Sequence, residues 1–149
     1  MVTKPSLELL TGKVISHAWL GHGSVLFLEL GELSAGDVRK DGSKGNGKGE
    51  ITIFIGYDWR IERKGSILGG SNDSKKRFNS FAKKLVGKTI LLASTTGRIP
   101  ELQLQLSDGL WVGTFSHEKG QPEWDVGFCK PDLGYLCVKR GKLSVEDSK

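Results

Sequence analysis

Two short stretches, Leu10-Thr11-Gly12-Lys13-Val14-Ile15 and Leu85-Val86-Gly87-Lys88-Thr89-Ile90, share one pattern and decide the predicted fold. In each, a glycine follows an apolar segment and precedes a β-branched stretch, an order typical of a helix end that leads into a strand. Each is followed downstream by a strand-like segment with a tryptophan, Trp59 in one case and Trp124 in the other. The repetition predicts an internal duplication, in which two parts of the chain form similar structures.

Segments with strand-like alternation recur in the same order after each stretch. Leucines at every second position mark them: Leu26, Leu28 and Leu30 in the first, and Leu102, Leu104 and Leu106 in the second. Such alternation predicts a strand with one face on the core. The repeats differ mainly where an Asp108-Gly109 turn in the second replaces residues 31–49 in the first. That insertion is poor in apolar residues, which favours a disordered loop over a functional one.

One segment has a clear helical period. Phe78, Phe81, Ala82 and Leu85 recur at steps of three or four residues, and lysines fill the other positions. The sequence therefore predicts an α+β fold, predominantly antiparallel β, with two similar halves of about four strands each joined by one amphipathic helix. The predicted segments of the single domain 1–149 are half-repeat 7–65, linking helix 72–86, half-repeat 87–128 and C-terminal extension 129–149.

Composition narrows the functional classes. The net charge of +5 comes from 22 basic and 17 acidic residues, and the basic residues are spread over a loop, a helix and the tail. Nucleic-acid binding is therefore possible but not favoured, because duplex binders concentrate basic residues on one face. No stretch approaches the roughly 20 apolar residues of a membrane span. We expect a cytoplasmic protein without membrane contact, in which Cys129 and Cys137 are buried free thiols.

No catalytic residue, metal ligand or cofactor is predicted. Residues 42–49 match the glycine and lysine spacing of a phosphate-binding loop, but Gly49 replaces the hydroxyl residue and a strand-like segment follows instead of a helix. The three histidines, His17, His22 and His117, lack further donors at metal-binding spacing. An enzyme without a sequence signature stays an alternative, because catalytic groups can converge in space.

The candidate binding residues lie in the insertion and on predicted strands. Trp59 and Trp124 occupy equivalent positions, so we expect them in the core, whereas Trp111 is expected to be partly exposed and to anchor a partner beside a basic residue. The predicted binding residues are Arg39, Lys40, Lys44, Lys48, Arg60 and Trp111. An alternative basic surface for nucleic acid or another anionic ligand consists of Lys75, Lys76, Arg77, Lys83 and Lys84 on the helix.

The whole pattern resembles that of small bacterial proteins. Leu-x-Gly-Lys, a leucine-alternating strand, a Ser-Asp-Gly hairpin and a terminal strand with tryptophan, spread over residues 7–128, are similar to features of immunity proteins of polymorphic toxin systems. The resemblance implies a non-catalytic protein-binding module that binds and blocks one cognate toxin. It also implies that specificity resides in loops such as residues 31–49 and in neighbouring strand edges.

Overall fold

The protein is β-rich, and the described part of the chain contains one α-helix. A computed structural model describes residues 4–36 and 38–147, and residues 1–3, 37 and 148–149 of the predicted domain lie outside it. The strands are β1 (Ile15–Leu20), β2 (Leu26–Leu30), β3 (Ile51–Ile55), β4 (Trp59–Arg63), β5 (Ser66–Gly70), β6 (Ile90–Thr96), β7 (Glu101–Leu106), β8 (Leu110–Thr114), β9 (Trp124–Cys129), β10 (Asp132–Lys139) and β11 (Lys142–Glu146). The α-helix is α1 (Lys75–Leu85), and short 3₁₀ helices span Leu7–Leu10, His22–Ser24 and Ser107–Gly109.

Two antiparallel sheets are built from these strands. The first sheet has the order β1-β2-β3-β9-β10-β11, and the second has the order β5-β4-β8-β7-β6. This confirms the predominantly antiparallel α+β class. The chain passes from the first sheet to the second after β3 and returns after β8, so each sheet contains strands from both predicted half-repeats. The division of the chain into two similar halves joined by the helix stays a prediction.

The inner faces of both sheets share one hydrophobic core. All six alternating leucines are buried, as the period-two pattern predicts. Trp59 and Trp124 are 1% and 2% exposed, which confirms their predicted core positions. Each indole nitrogen donates to a backbone carbonyl, that of Ser24 for Trp59 and that of Pro100 for Trp124. The core therefore holds both tryptophans without leaving either N–H unpaired.

Helix α1 covers one end of this core. It is shorter than the predicted 72–86 segment, because Ser74 caps it through the amide of Arg77 at 3.2 Å and Val86 is already extended. Phe78 and Phe81 are buried, and each lies edge-on to Trp59 with ring centroids 6.3 Å apart. Strand β5 can approach the helix because Gly69 has no side chain there.

The two Gly-Lys stretches pair with each other. Gly12 and Gly87 follow helix ends and precede strands, as predicted, with φ of +88° and +91°. Four backbone hydrogen bonds of 2.7–2.8 Å join the stretches: Gly12 N to Ile90 O, Gly87 N to Ile15 O, Ile15 N to Lys88 O and Ile90 N to Lys13 O. Because β1 and β6 are edge strands of different sheets, this pairing joins the two sheets along one side.

The left-handed backbone at Gly87 gives a direct test of this junction. We expect Gly87→Ala to lower the free energy of unfolding by about 1–2 kcal/mol, because an L side chain disfavours positive φ. An added Cβ would contact no neighbouring atom within 4 Å, so the cost is confined to the backbone. Gly87→Asn is the matched control and should lose less, since asparagine tolerates this region. Urea unfolding measures both, and an alanine variant as stable as the native chain would contradict this account.

Candidate functional site

A row of aromatic side chains crosses the outer face of the first sheet. Strand register places Trp19 opposite Phe27 and Phe27 opposite Phe54. Trp19 and Phe27 stack with ring centroids 4.1 Å apart and planes 9° apart, and Phe27 meets Phe54 edge-on at 5.5 Å. These three residues are called the aromatic row. They form a continuous apolar strip on a face that points away from the core, which is unusual for a sheet surface open to water.

Tyr135 forms the opposite wall of a groove above this strip. Its ring lies over Gly127, where an added Cβ would come within 2.7 Å of a ring carbon, so only glycine allows this placement. Two cavities of about 460 and 230 Å³ adjoin along the groove and share Phe27, Lys48 and Thr52. The aromatic row, Tyr135 and these cavities are together called the aromatic groove.

Residues 34–36 and 46–48 of the loop form the wall at the Trp19 end. Ser34 and Lys48 exchange backbone hydrogen bonds of 2.7 and 3.2 Å, and the Arg39 amide donates to the carbonyl of Ser43 at 2.7 Å nearer the tip. Across residues 31–36 and 38–49 the segment therefore folds as a hairpin-like loop, unlike the disordered loop that its composition favours. Of its predicted binding residues, Lys48 lines the groove.

A buried carboxylate anchors this loop to the sheet. Glu29 is 1% exposed and accepts hydrogen bonds from the Trp19 indole at 3.0 Å, the Gly49 amide at 3.0 Å and the Thr52 hydroxyl at 2.5 Å. A carboxylate can be buried at moderate cost only when donors surround it, as they do here. Glu29 thus fixes the orientation of Trp19 and the base of the 31–49 loop at once.

The carboxylate at the other end of the groove has no such partners. Asp125 lies opposite Phe54 in the register, yet within residues 4–36 and 38–147 its carboxylate accepts no hydrogen bond and forms no ion pair. Burial raises the pKa of Asp125 to about 6. Sequence analysis missed this residue, because its position beside Phe54 depends on the pairing of β3 with β9, which are far apart in the chain.

The structure separates the predicted binding residues into two groups. Arg39, Lys40, Lys44 and Lys48 are exposed in the 31–49 loop beside the first sheet. Arg60 and Trp111 lie instead on the outer face of the second sheet. There Arg60 pairs with Glu62 at 2.9 Å and lies 5.6 Å from the centroid of the Phe115 ring. Trp111 is 36% exposed, in agreement with the predicted partial exposure, and lies opposite Glu62 in the register.

The alternative basic surface is exposed along α1. Its residues are Lys75, Lys76, Arg77, Lys83 and Lys84. Arg77 pairs with Asp73 at 3.2 Å. The helix aromatics, Phe78 and Phe81, are 3% and 5% exposed and face the core, so neither is available to stack on bases.

A polar cavity of about 380 Å³ lies near the start of β4. Asp58 contacts His117 through one carboxylate oxygen and accepts a hydrogen bond from the Ser71 hydroxyl at 3.1 Å through the other. A nucleophilic serine needs a base as its direct partner. Here the carboxylate stands between the serine and the histidine, so this cluster gives no activated serine.

Metal binding, membrane insertion and similarity to known proteins are three further indicators of function. Within residues 4–36 and 38–147, no group of three or more His, Cys, Asp or Glu side chains is arranged to hold a metal ion. No helix of the described chain is long and apolar enough to cross a membrane. Comparison with protein families, with curated proteins and with solved structures gave no match to this chain.

The raised pKa of Asp125 predicts a specific dependence of stability on pH. The folded state holds this proton up to about pH 6, whereas the ordinary pKa of an aspartate carboxyl is 3.8, so the native chain loses stability as pH rises between these values. Asp125→Asn removes the charge. We expect this substitution to raise the free energy of unfolding by about 1–2 kcal/mol above pH 6, after allowance for solvent screening, and to change it little near pH 3.5. Urea unfolding at both pH values measures this difference. An equal change in the free energy of unfolding at both pH values would contradict the absence of a partner for the Asp125 carboxylate.

Proposed function

We propose that this protein is a non-catalytic protein-binding module that inhibits a cognate bacterial toxin, and that the aromatic groove is its contact surface. The observation that carries the proposal is the clustering of Trp19, Phe27, Phe54 and Tyr135 on an outer sheet face. Large aromatic side chains are enriched in protein interfaces and supply much of their binding energy. On this outer face, these side chains do not contribute to the hydrophobic core.

An internal duplication, which we also propose, supports the choice of this surface. The hydrogen bonds of Gly12 to Ile90 and of Gly87 to Ile15 are related by exchange of the two Gly-Lys stretches. Register shifts likewise occur just after both stretches, between Ile15 and His17 and between Ile90 and Leu92. A repeated frame would preserve packing in both copies, so features found in one copy only are candidates for function.

The two sheets differ most at the groove. In the second sheet, the positions that correspond to the aromatic row and Asp125 are occupied by Ser94, Gln103, Gly113 and Arg60. The 31–49 loop also has no counterpart there, because the 3₁₀ turn Ser107–Gly109 joins β7 to β8. The aromatic side chains and the long loop thus occur together, on the same sheet, as expected of parts of one binding surface.

The charge of the loop indicates the chemistry of the partner. Arg39, Lys40, Lys44 and Lys48 are exposed within it and form no ion pair within the described chain. Such a basic rim attracts a partner with an acidic surface and accelerates association at low salt. The partner therefore combines an apolar patch, seated in the groove, with acidic residues that face the loop.

Tyr135 and Trp111 provide a matched pair for the test. They are 38% and 36% exposed but lie on the outer faces of different sheets. We expect the native chain to co-purify with the toxin encoded by the adjacent gene and to protect cells from it. Tyr135→Ala should weaken binding about tenfold or more, as truncation of an interface aromatic does, whereas Trp111→Ala should leave it unchanged.

Calorimetric titration with the toxin measures both variants, and thermal unfolding checks that each is folded. Absence of binding and protection by the native chain would rule out the inhibitor role. Loss of binding in Trp111→Ala alone would move the interface to the second sheet. Charge reversal at Lys75 and Lys76 should have no effect, and a steep loss of affinity there would favour the basic helix.

A further inference from the structure

We infer that the Asp125 end of the aromatic groove is a pocket for a basic side chain, a guanidinium or ammonium group that the protein partner inserts. The inference rests on the proposed function, because it specifies what part of the partner enters the groove. It goes beyond that function in assigning a ligand chemistry to one carboxylate that sequence analysis did not identify.

The geometry of this end suits a cation on an apolar stem. The cavity of about 230 Å³ is lined by Phe27, Lys48, Thr52, Phe54, Asp125, Gly127, Cys129 and Tyr135. Rings from β2, β3 and β10 thus surround a single carboxylate on β9. Cations bind favourably over aromatic faces and pair with carboxylates, and the two effects act together in a partly desolvated pocket. The apolar walls would contact the methylene groups of an arginine or lysine stem.

The carboxylate lacks any compensation within the described chain. The described residues contain no buried side-chain oxygen without a partner, so the oxygens of Asp125 reach water. Partial burial still makes the charged form costly, and an adjacent cation would offset that cost. Burial holds the pKa of Asp125 near 6, so the group is mainly ionised at neutral pH while poorly solvated. A bound cation would supply the missing partner. Glu29, at the other end of the groove, needs none because three donors already surround it.

Other titratable groups face Asp125 from the neighbouring strands and loop. Cys137 lies directly opposite it on β10, and Cys129, Tyr135 and Lys48 line the same cavity. Burial raises the pKa of the Cys137 thiol. Lys139, further along β10, is paired with Glu146. Lys48 is thus the cation of this cavity, yet it forms no ion pair with Asp125, and it would compete with an incoming basic group.

The test uses n-butylguanidinium as the probe and the full chain without any partner. We expect nuclear magnetic resonance titration to show saturable shifts of the Phe54 and Gly127 amides and a lower pKa of Asp125, followed through its side-chain carboxyl carbon. Asp125→Asn should weaken binding of the probe more than about tenfold, and Lys48→Gln should strengthen it. Glu118→Gln, an exposed carboxylate outside the groove, is the matched control and should change nothing. Pentan-1-ol, a neutral probe of similar size, should bind more weakly.

The outcomes separate the pocket from the wider proposal. If n-butylguanidinium causes no amide shifts, or causes the same shifts in Asp125→Asn, the assignment of a cation pocket is wrong. Equal binding of pentan-1-ol also overturns it, because the site would then be merely apolar. If the probe binds as expected but the adjacent toxin is not captured, the inhibitor role fails and the cation pocket stands. A further outcome is capture of the toxin through Tyr135 while substitution of each exposed arginine and lysine of the toxin leaves the affinity unchanged. In that case only the assignment of the cation pocket is rejected.

Discussion

The pairing of the two Gly-Lys stretches is the constraint on which the rest of the structure depends. Its hydrogen bonds join Ile15 and Ile90, the first residues of β1 and β6, to the opposite Gly-Lys stretch, and so link the two sheets on one side of the shared core. Positive φ at Gly12 and Gly87 lets the backbone pass directly from a helical turn into the following strand at both places. A register shift between Ile15 and His17 then reverses the alternation along β1, and the pairing of Trp19 with Phe27 on β2 places both side chains on the outer face.

The groove combines features that oppose stability. An aromatic strip open to water and a half-buried carboxylate without partners both raise the free energy of the folded chain. In the second sheet, Ser94, Gln103, Gly113 and Arg60 form one outer row, although Leu92 and Trp111 are exposed in the neighbouring row. Binding sites commonly sacrifice stability, so these costs agree with the proposed role of the groove in binding.

Local patterns in the sequence were sufficient for the core and for most elements, but not for β10 and β11, which lie in the segment predicted only as a C-terminal extension. Alternating leucines, the three- and four-residue steps of Phe78 and Phe81, and the equivalent tryptophans each reflect short-range geometry, and the structure agrees with them. The site could not be predicted in the same way. Phe54 meets Asp125 only through the pairing of β3 with β9, and Arg60 is separated from the 31–49 loop because β4 crosses to the other sheet. Such contacts depend on long-range register, which residue periodicity does not encode.

Hydroxyl-radical footprinting of the chain with and without its captured toxin tests the central claim most directly. Tyr135 and Trp111 are reactive aromatic side chains of similar exposure on different sheets, so each serves as the internal reference for the other. We expect the toxin to protect Tyr135 and Trp19 from oxidation while Trp111 reacts as in the free chain. Protection of Trp111 with unchanged reactivity of Tyr135 would contradict the assignment of the aromatic groove as the binding surface.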